Sequence, residues 1–139
     1  MKNSFELKQI GTIRNTETSA WIEVNESYAA GLKGLEQFSH ILVFYWFHEN
    51  DKPENRNTLE VHPCHNAANP LTGVFATHSP ARPNLIAITR CRMTSMENNI
   101  IHIDGIDALD NSPLIDIKSY FPWEDEDVRY PNWEDRRKT

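Results

Sequence analysis

The polar residues best suited to ligand binding lie in one stretch, Gly73-Val-Phe-Ala-Thr-His-Ser-Pro-Ala-Arg-Pro-Asn84. Proline at positions 80 and 83 fixes φ there and pushes each preceding residue toward an extended conformation. Rigid polar loops at strand ends are common ligand sites, although a purely structural turn is the alternative interpretation. The polar side chains that such a loop holds in set directions are Thr77, His78, Ser79, Arg82 and Asn84.

Three carboxylates, Asp104, Asp107 and Asp110, follow one another near the end of a predicted strand. Carboxylates in such a position can contact a ligand or take a proton as a general base. The sequence Asp107-Ala-Leu-Asp-Asn-Ser-Pro113 is also rich in turn-forming residues, so turn formation is the alternative role for Asp107 and Asp110. The two roles are compatible with each other.

A metal site is a further hypothesis, because several nitrogen and sulfur ligand types occur within a short window. The spacing of His62-Pro-Cys-His65 does not match the usual paired-ligand motifs, so metal binding is less favoured than the binding of an organic ligand. The residues concerned are His48, His62, Cys64, His65 and His78.

Short β-branched and aromatic stretches between turn-forming clusters predict that strands position these residues. Residues 41–47 are continuously apolar, which predicts a strand buried on both faces, whereas Ile101 and Ile103 alternate with polar residues and predict one exposed face. The only predicted helical turn covers residues 28–38. Many short strands favour a mainly β fold, a single compact antiparallel or mixed β-barrel with short helical turns. The predicted strands cover residues 6–14, 21–24, 41–47, 58–62, 74–77, 86–93, 99–104 and 114–118.

The bulk composition fits one soluble domain. The chain has 139 residues, 39% of them hydrophobic, and a formal net charge of -6, which weakens unaided attraction to phosphate backbones. The apolar runs are too short for a membrane helix, and the first residues lack a hydrophobic signal region. Two distant cysteines predict no disulfide framework, and we therefore expect a reduced cytoplasmic protein. We expect a folded domain over residues 1–120 and an acidic tail over residues 121–139, with Trp123 and Trp133 packed on the body or on a second subunit. A partly ordered acidic tail without a role is the alternative.

Four ordered motifs resemble the TrmO/TsaA-like family. The stretch from Gly73 is similar to that family's Gly-Val-Phe-Ala-Thr-Arg-Ser-x-x-Arg-Pro-Asn signature. The other three are Gln9-Ile-Gly-Thr-Ile-Arg14, Leu35-Glu-Gln-Phe-Ser-His-Ile-Leu-Val-Phe-Tyr-Trp-Phe-His48 and Ile106-Asp-Ala-Leu-Asp-Asn-Ser-Pro-Leu-Ile-Asp-Ile-Lys-Ser-Tyr120. The chain is identified as a divergent short member of this family.

The resemblance implies a β-barrel, a homodimer with the cofactor near the subunit interface, and S-adenosyl-L-methionine as methyl donor without a metal. It implies tRNA as substrate, with N6 of threonylcarbamoyladenosine beside the anticodon as the methylated atom. Asp107 and Asp110 are the candidates for catalysis. The positions that the resemblance assigns to cofactor binding are His48, Glu49, Phe75, Thr77, His78, Arg82, Asn84, Ile88, Asp104 and Asp107. For Arg82, the alternative role is a surface arginine that anchors the loop through backbone carbonyls.

The sequence also departs from the family pattern. His78 stands where the family usually has arginine, so a permanent forked cation is replaced by a group that is mostly neutral at pH 7. Cys64 and His65 occupy the positions of arginine and glycine in the usual His-Pro-Arg-Gly motif. These departures favour, as the alternative function, a divergent protein that binds S-adenosyl-L-methionine or a nucleoside without catalysis.

Overall fold

The computed structural model describes residues 3–134 and divides them into two compact units. The barrel unit comprises residues 3–48 and 86–121, and the second unit comprises residues 49–85 and 122–134. Residues 135–139, the end of the predicted acidic tail, lie outside the described residues. The predicted boundary after residue 120 stays a prediction.

The barrel unit is a closed barrel of antiparallel strands in the order β1-β2-β7-β6-β3-β8, which confirms the predicted fold class. Its strands are β1 (Gly11–Asn15), β2 (Ala20–Val24), β3 (His40–Trp46), β6 (Ile86–Glu97), β7 (Ile100–Ile103) and β8 (Ser112–Ser119). Two 3-10 helices, Glu26–Leu32 and Leu35–Gln37, connect β2 to β3, where one helical turn was predicted.

The barrel core is formed by side chains that alternate along the strands, as the period of two requires. Ile101 and Ile103 are buried, which confirms the predicted one-sided burial of β7. The prediction that β3 is buried on both faces was wrong. Ile41, Val43 and Tyr45 are buried in the core, whereas the residues between them are only half-buried.

The second unit contains little regular structure. It has a two-stranded ladder of β4 (Glu60–Val61) and β5 (Thr72–Gly73), the short helix α1 (Pro53–Arg56) and four 3-10 helices. These four are His48–Asn50, which begins in the barrel unit, Pro63–His65, Val74–Ala76 and Asn132–Glu134. Among residues 3–134, no helix is both long enough and apolar enough to cross a membrane.

The strand predicted over residues 74–77 was wrong, since Val74–Ala76 is a 3-10 helix. Thr77 closes this turn twice on the same acceptor: its backbone N–H donates to the Val74 carbonyl at 3.1 Å and its hydroxyl donates at 2.9 Å. The signature stretch therefore leaves strand β5 after Gly73 and continues as a turn, and Phe75 in that turn is 80% exposed.

Candidate functional site

In the barrel unit, Asp107 is held by two hydroxyl groups that belong to neighbouring strands. Thr89 Oγ1, on β6, donates to Asp107 Oδ1 at 2.7 Å, and Tyr45 Oη, on β3, donates to the same oxygen at 3.2 Å. The two hydroxyl oxygens lie 3.2 Å apart. β3 and β6 pair so that Tyr45 faces Ala87, two residues before Thr89, and both hydroxyl-bearing residues lie on the inward side of the sheet. The pairing of these strands therefore sets the position of the carboxylate.

The surroundings of Asp107 keep its neighbours neutral. The pKa of Tyr45 is raised to about 12, mainly by burial and in part by the charge of Asp107. Burial also raises the pKa of the Cys91 thiol to about 12, again with a contribution from Asp107. Tyr45 therefore remains a protonated donor at physiological pH, and Cys91 carries no competing charge.

Asp107 retains hydrogen-bonding capacity. Both hydroxyl groups donate to Oδ1, and Oδ2 accepts no hydrogen bond from the residues that the structure describes. A carboxylate has acceptor sites on both oxygens, and Asp107 is exposed. This arrangement leaves one oriented oxygen that can accept a proton or a hydrogen bond from a ligand.

Asp110 has different partners from those of Asp107. Its Oδ1 accepts hydrogen bonds from Arg14 Nε at 3.0 Å and from the backbone N–H of Asn15 at 2.9 Å. The hydrogen bond from Arg14 is the main reason that the pKa of Asp110 lies below its usual value, and the Asn15 N–H lowers it further. Asn15 Nδ2 donates to the carbonyls of Ile106 and Ala108, so these contacts fasten the Asp107 segment to β1.

The other predicted residues of the barrel unit lie in separate places. Ile88 projects from the opposite face of β6 to Thr89, because successive side chains alternate, and it is 44% exposed. Asp104 is exposed at the end of β7, where its backbone N–H donates to the Arg92 carbonyl. His48 begins the 3-10 helix that follows β3. The structure thus separates Ile88 from the face that carries Thr89 and Asp107.

In the second unit, side chains of the signature loop stabilise the loop itself. Arg82 Nη1 donates to the carbonyl oxygens of Thr77 at 3.1 Å and Ser79 at 3.2 Å. The backbone N–H of Ser79 donates to Thr77 Oγ1, and that of Ala81 donates to Ser79 Oγ. Thr77 and Arg82 were predicted to contact a cofactor, and in this structure both form internal bonds of the loop.

A cavity of about 520 Å³ lies within the second unit. Residues 62–65 line one part of it and residues 77–81 another, and Trp133 and Glu134 also line it. The volume is within the range of small-molecule pockets, about 300–1,000 Å³. Of the predicted polar loop residues, Thr77, His78 and Ser79 line the cavity. The predicted residues that do not are Glu49, Phe75, Arg82 and Asn84.

The cavity wall at Cys64 and His65 has an unusual backbone. Both residues have positive φ, 58° for Cys64 and 53° for His65, which disfavours side chains that bear a Cβ. Position 65 is the one at which the related motif has glycine, the residue that adopts this conformation without strain. Cys64 Sγ donates to the Trp133 carbonyl at 3.4 Å, so a residue of the predicted tail is joined to this wall.

A metal site receives no support from side-chain clustering. Within residues 3–134, no group of three or more histidine, cysteine, aspartate or glutamate side chains is placed so as to hold a metal ion. His62, Cys64, His65 and His78 all line the cavity, but they do not form such a group.

Tyr45 and Thr89 are the site residues that the sequence interpretation missed. A signal was present, since Tyr45 falls at the same parity as Ile41 and Val43 in the β3 run. A tyrosine on the inward face of an apolar strand needs a partner for its hydroxyl group. That partner lies 62 residues away in sequence, at Asp107.

Comparison with known proteins identifies the family. The chain matches the model of the tRNA-methyltransferase O N-terminal domain over residues 8–126. It is 41% identical to a probable S-adenosyl-L-methionine-binding protein of Methanocaldococcus jannaschii, over 84% of this chain and 92% of the relative. It is 38% identical to a tRNA (adenine(37)-N6)-methyltransferase of Mus musculus, over 64% of this chain and 20% of that protein.

A solved structure has the same fold. The crystal structure of TrmO from P. aeruginosa superposes with a TM-score of 0.71 and 26% identity, over 96% of this chain and 63% of that one. The chain thus spans less than two thirds of the solved TrmO chain. It belongs to the tRNA-methyltransferase O N-terminal domain family.

Proposed function

We propose that this protein is an S-adenosyl-L-methionine-dependent tRNA methyltransferase, and that its acceptor is N6 of threonylcarbamoyladenosine. The observation that carries the proposal is the Asp107 carboxylate, oriented by Tyr45 and Thr89 with one oxygen available to a ligand. Family membership and the functions of the named relatives support the same activity. A tRNA substrate agrees with the expected cytoplasmic location.

The residues present fit this cofactor. S-adenosyl-L-methionine supplies a methyl group activated by its attachment to a sulfonium. An exposed carboxylate such as Asp104, one of the predicted cofactor contacts, suits the cofactor's hydroxyl and ammonium groups. In the second unit, the cavity offers His78 and Ser79 as polar contacts and Trp133 as an aromatic surface. The cofactor roles of the other predicted residues stay predictions, since Glu49, Phe75 and Asn84 do not line this cavity. Thr77 and Arg82 act by holding the loop.

For catalysis we favour Asp107 over Asp110. The acceptor nitrogen lies between a purine and a carbonyl group and is a weak nucleophile, so removal of its proton by a positioned base assists the reaction. Asp107 would hold that proton at Oδ2, while Tyr45 and Thr89 keep the carboxylate in place through Oδ1. Asp110 already binds Arg14 and the Asn15 N–H, and its lowered pKa makes it the weaker base.

The test combines binding with turnover. Calorimetric titration with S-adenosyl-L-methionine measures cofactor binding, and transfer of a labelled methyl group to tRNA measures activity. We expect transfer to tRNA that carries threonylcarbamoyladenosine and none to the same tRNA without it. Asp107→Asn removes the base and should lower the rate by about 100-fold or more, as expected for loss of a general base.

Glu97→Gln provides the matched control, since it also neutralises an exposed carboxylate but lies at the end of β6. Its activity should equal that of the wild type. Equal rates for Asp107→Asn and Glu97→Gln would rule out Asp107 as the base. Failure to bind the cofactor at millimolar concentration would contradict the methyltransferase proposal.

A ligand-binding protein without catalysis is the second candidate. The arrangement of Arg82 favours it, because Arg82 Nη1 bonds to loop carbonyls while His78, in place of the family's arginine, lines the cavity. The loop therefore presents an imidazole to a ligand in place of a permanently charged guanidinium. Cofactor binding without methyl transfer to modified tRNA would decide for this candidate.

We also propose a homodimer. At the end of β3 and the start of β6, Phe44 and Trp46 face Ile88 and Ile86, and the two isoleucines are exposed on the outside of the barrel. Arg92 lies at the opposite end of this strand pair. Apolar surface of this kind marks sites of association. Light scattering coupled to gel filtration should give twice the mass of the chain, and a monomer at all concentrations would contradict the proposal.

A further inference from the structure

A row of cations lies on the outer face of three neighbouring strands. Register places Arg92 of β6 opposite His40 of β3, and Arg90 opposite Leu42. Leu42 is also opposite Lys118 of β8. Ile41 and Cys91, which alternate with these residues, are buried in the core, so the three cations project outward, and all three are exposed. We call Arg90, Arg92 and Lys118 the cationic row.

The cationic row is a local exception in an acidic chain. The formal net charge of the protein is -6, whereas the three strands carry three cations against two carboxylates, Asp116 and Glu97. Asp116 Oδ1 accepts a hydrogen bond from the backbone N–H of Ile117. None of the three cations forms an ion pair with any residue in the range 3–134. Their charge is therefore available to an external anion.

Aromatic rings border the cationic row. The Arg90 guanidinium lies 5.3 Å from the centre of the Tyr120 ring, and Nη1 donates to the Tyr120 hydroxyl at 3.3 Å. The centres of the His40 and Tyr120 rings are 6.2 Å apart, and the residue that follows Tyr120 in sequence, Phe121, is 57% exposed. Arginine and aromatic side chains together form the surfaces on which nucleic-acid bases stack.

The spacing of the cations suits a repeating polyanion. Residues two apart on a strand are about 6.6 Å apart, and neighbouring strands are about 4.8 Å apart. Arg90 and Arg92 are two apart on β6, and Leu42 of β3 lies between Arg90 and Lys118. Three point charges at such intervals match a chain of phosphates better than a single small anion.

From this surface we infer that the cationic row binds the sugar-phosphate backbone of the tRNA substrate, with Tyr120 and Phe121 beside an unpaired base. The choice of RNA as the occupant rests on the proposed function. The inference places the RNA contact on the barrel, on the outer face of β3, β6 and β8. Two of these strands carry Tyr45 and Thr89 on their inner face. The phosphate contacts position the RNA and carry no sequence information.

The test measures tRNA binding against salt concentration by fluorescence anisotropy. The variant Arg90→Gln/Arg92→Gln/Lys118→Gln removes three phosphate contacts. Between 50 and 200 mM salt, the wild type should lose roughly 20- to 40-fold more affinity than the variant, from a slope of about 0.7–0.9 per contact. Arg92→Gln/Lys118→Gln keeps the Arg90–Tyr120 contact and should show about two thirds of the change in slope.

The control variant is Lys8→Gln/Lys52→Gln/Arg129→Gln, which removes the same charge from exposed positions outside these strands. It should retain the wild-type salt dependence. Equal losses in the two triple variants would overturn the inference, because net charge alone would then explain binding. Heparin is a polyanion that contains no bases, and its binding can be measured in the same way. If the cationic-row variant loses heparin binding but keeps wild-type tRNA binding, the inference is overturned as well.

The test is independent of turnover. Thermal unfolding and cofactor titration on each variant separate loss of RNA contact from loss of fold or of the methyl-donor site. If the wild type transfers no methyl group but the cationic row governs tRNA binding, the proposed activity fails and the surface stands. If methyl transfer occurs and substitution of the cationic row has no effect on tRNA binding, the proposed activity stands and the inference about the cationic row fails.

Discussion

Gly11→Ala tests the close approach of β1 to β2 in the closed barrel. Gly11 of β1 pairs with Val24 of β2 on one side and with Leu114 of β8 on the other. A Cβ at this position would overlap the Glu23 carbonyl oxygen and would lie 3.0 Å from Val24 Cα. Both obstacles are backbone atoms, so no side-chain rotation relieves the overlap. β1 has a partner on each side, and moving away from one strand strains its pairing with the other.

Because both obstacles are backbone atoms, the overpacking cost lies at the upper end of the usual range, about 3 kcal/mol, and it is offset by up to about 1 kcal/mol because alanine restricts the unfolded chain. We expect a net loss of about 2 kcal/mol in the free energy of unfolding and a fall in Tm of roughly 6–10 °C for a chain of this length. Gly31→Ala is the matched control, since a Cβ there meets no atom within 4 Å. Equal Tm values for the two variants, measured by calorimetry, would refute the close approach of β1 and β2.

Three further predictions concern single groups. Iodoacetamide at about pH 8 should modify exposed Cys64 and spare Cys91 in the folded protein, because burial raises the pKa of Cys91 to about 12; mass spectrometry of the peptides checks this. Asp110→Asn should lower Tm at pH 7 but not at acid pH. The pKa of Asp110 is lowered from 3.8 in the folded protein, so the ionised side chain stabilises the fold above pH 3.8, and this stabilisation is lost as the pH falls through the folded pKa. Thr77→Val leaves the buried turn without its hydroxyl, including the acceptor for the Ser79 N–H, and should cost about 1–3 kcal/mol in urea unfolding; an unchanged midpoint would contradict the bond.

The strands were predictable where their two faces differ in chemistry. In β7, Ile101 and Ile103 alternate with polar residues, and the structure buries them as expected. In β3 the outward residues Leu42 and Phe44 are apolar too, so the period of two is hidden and the sequence falsely indicates burial on both faces. The outward face is apolar where β3 lies against Ile86 and Ile88 of β6, a relation that only the register reveals.

The candidate site was predictable as a set of residue types but not as a set of contacts. The sequence places Asp107 and Asp110 close together, yet their partners come from distant positions: Arg14 is 96 residues from Asp110, and Tyr45 is 62 from Asp107. Strand pairing determines that Asp110 is bonded to β1 and that Asp107 keeps an available oxygen. The spacing of residues along the chain does not reveal that pairing.

The most direct test of the proposed activity is the fate of a trideuteriomethyl group from labelled S-adenosyl-L-methionine. Purified protein is incubated with tRNA that carries threonylcarbamoyladenosine, and the tRNA is digested to nucleosides for mass spectrometry. We predict one trideuteriomethyl group on N6 of the modified adenosine with the wild type, and a strongly reduced yield with Asp107→Asn. A label on any other nucleoside, or none at all with protein that binds the cofactor, would contradict the proposal.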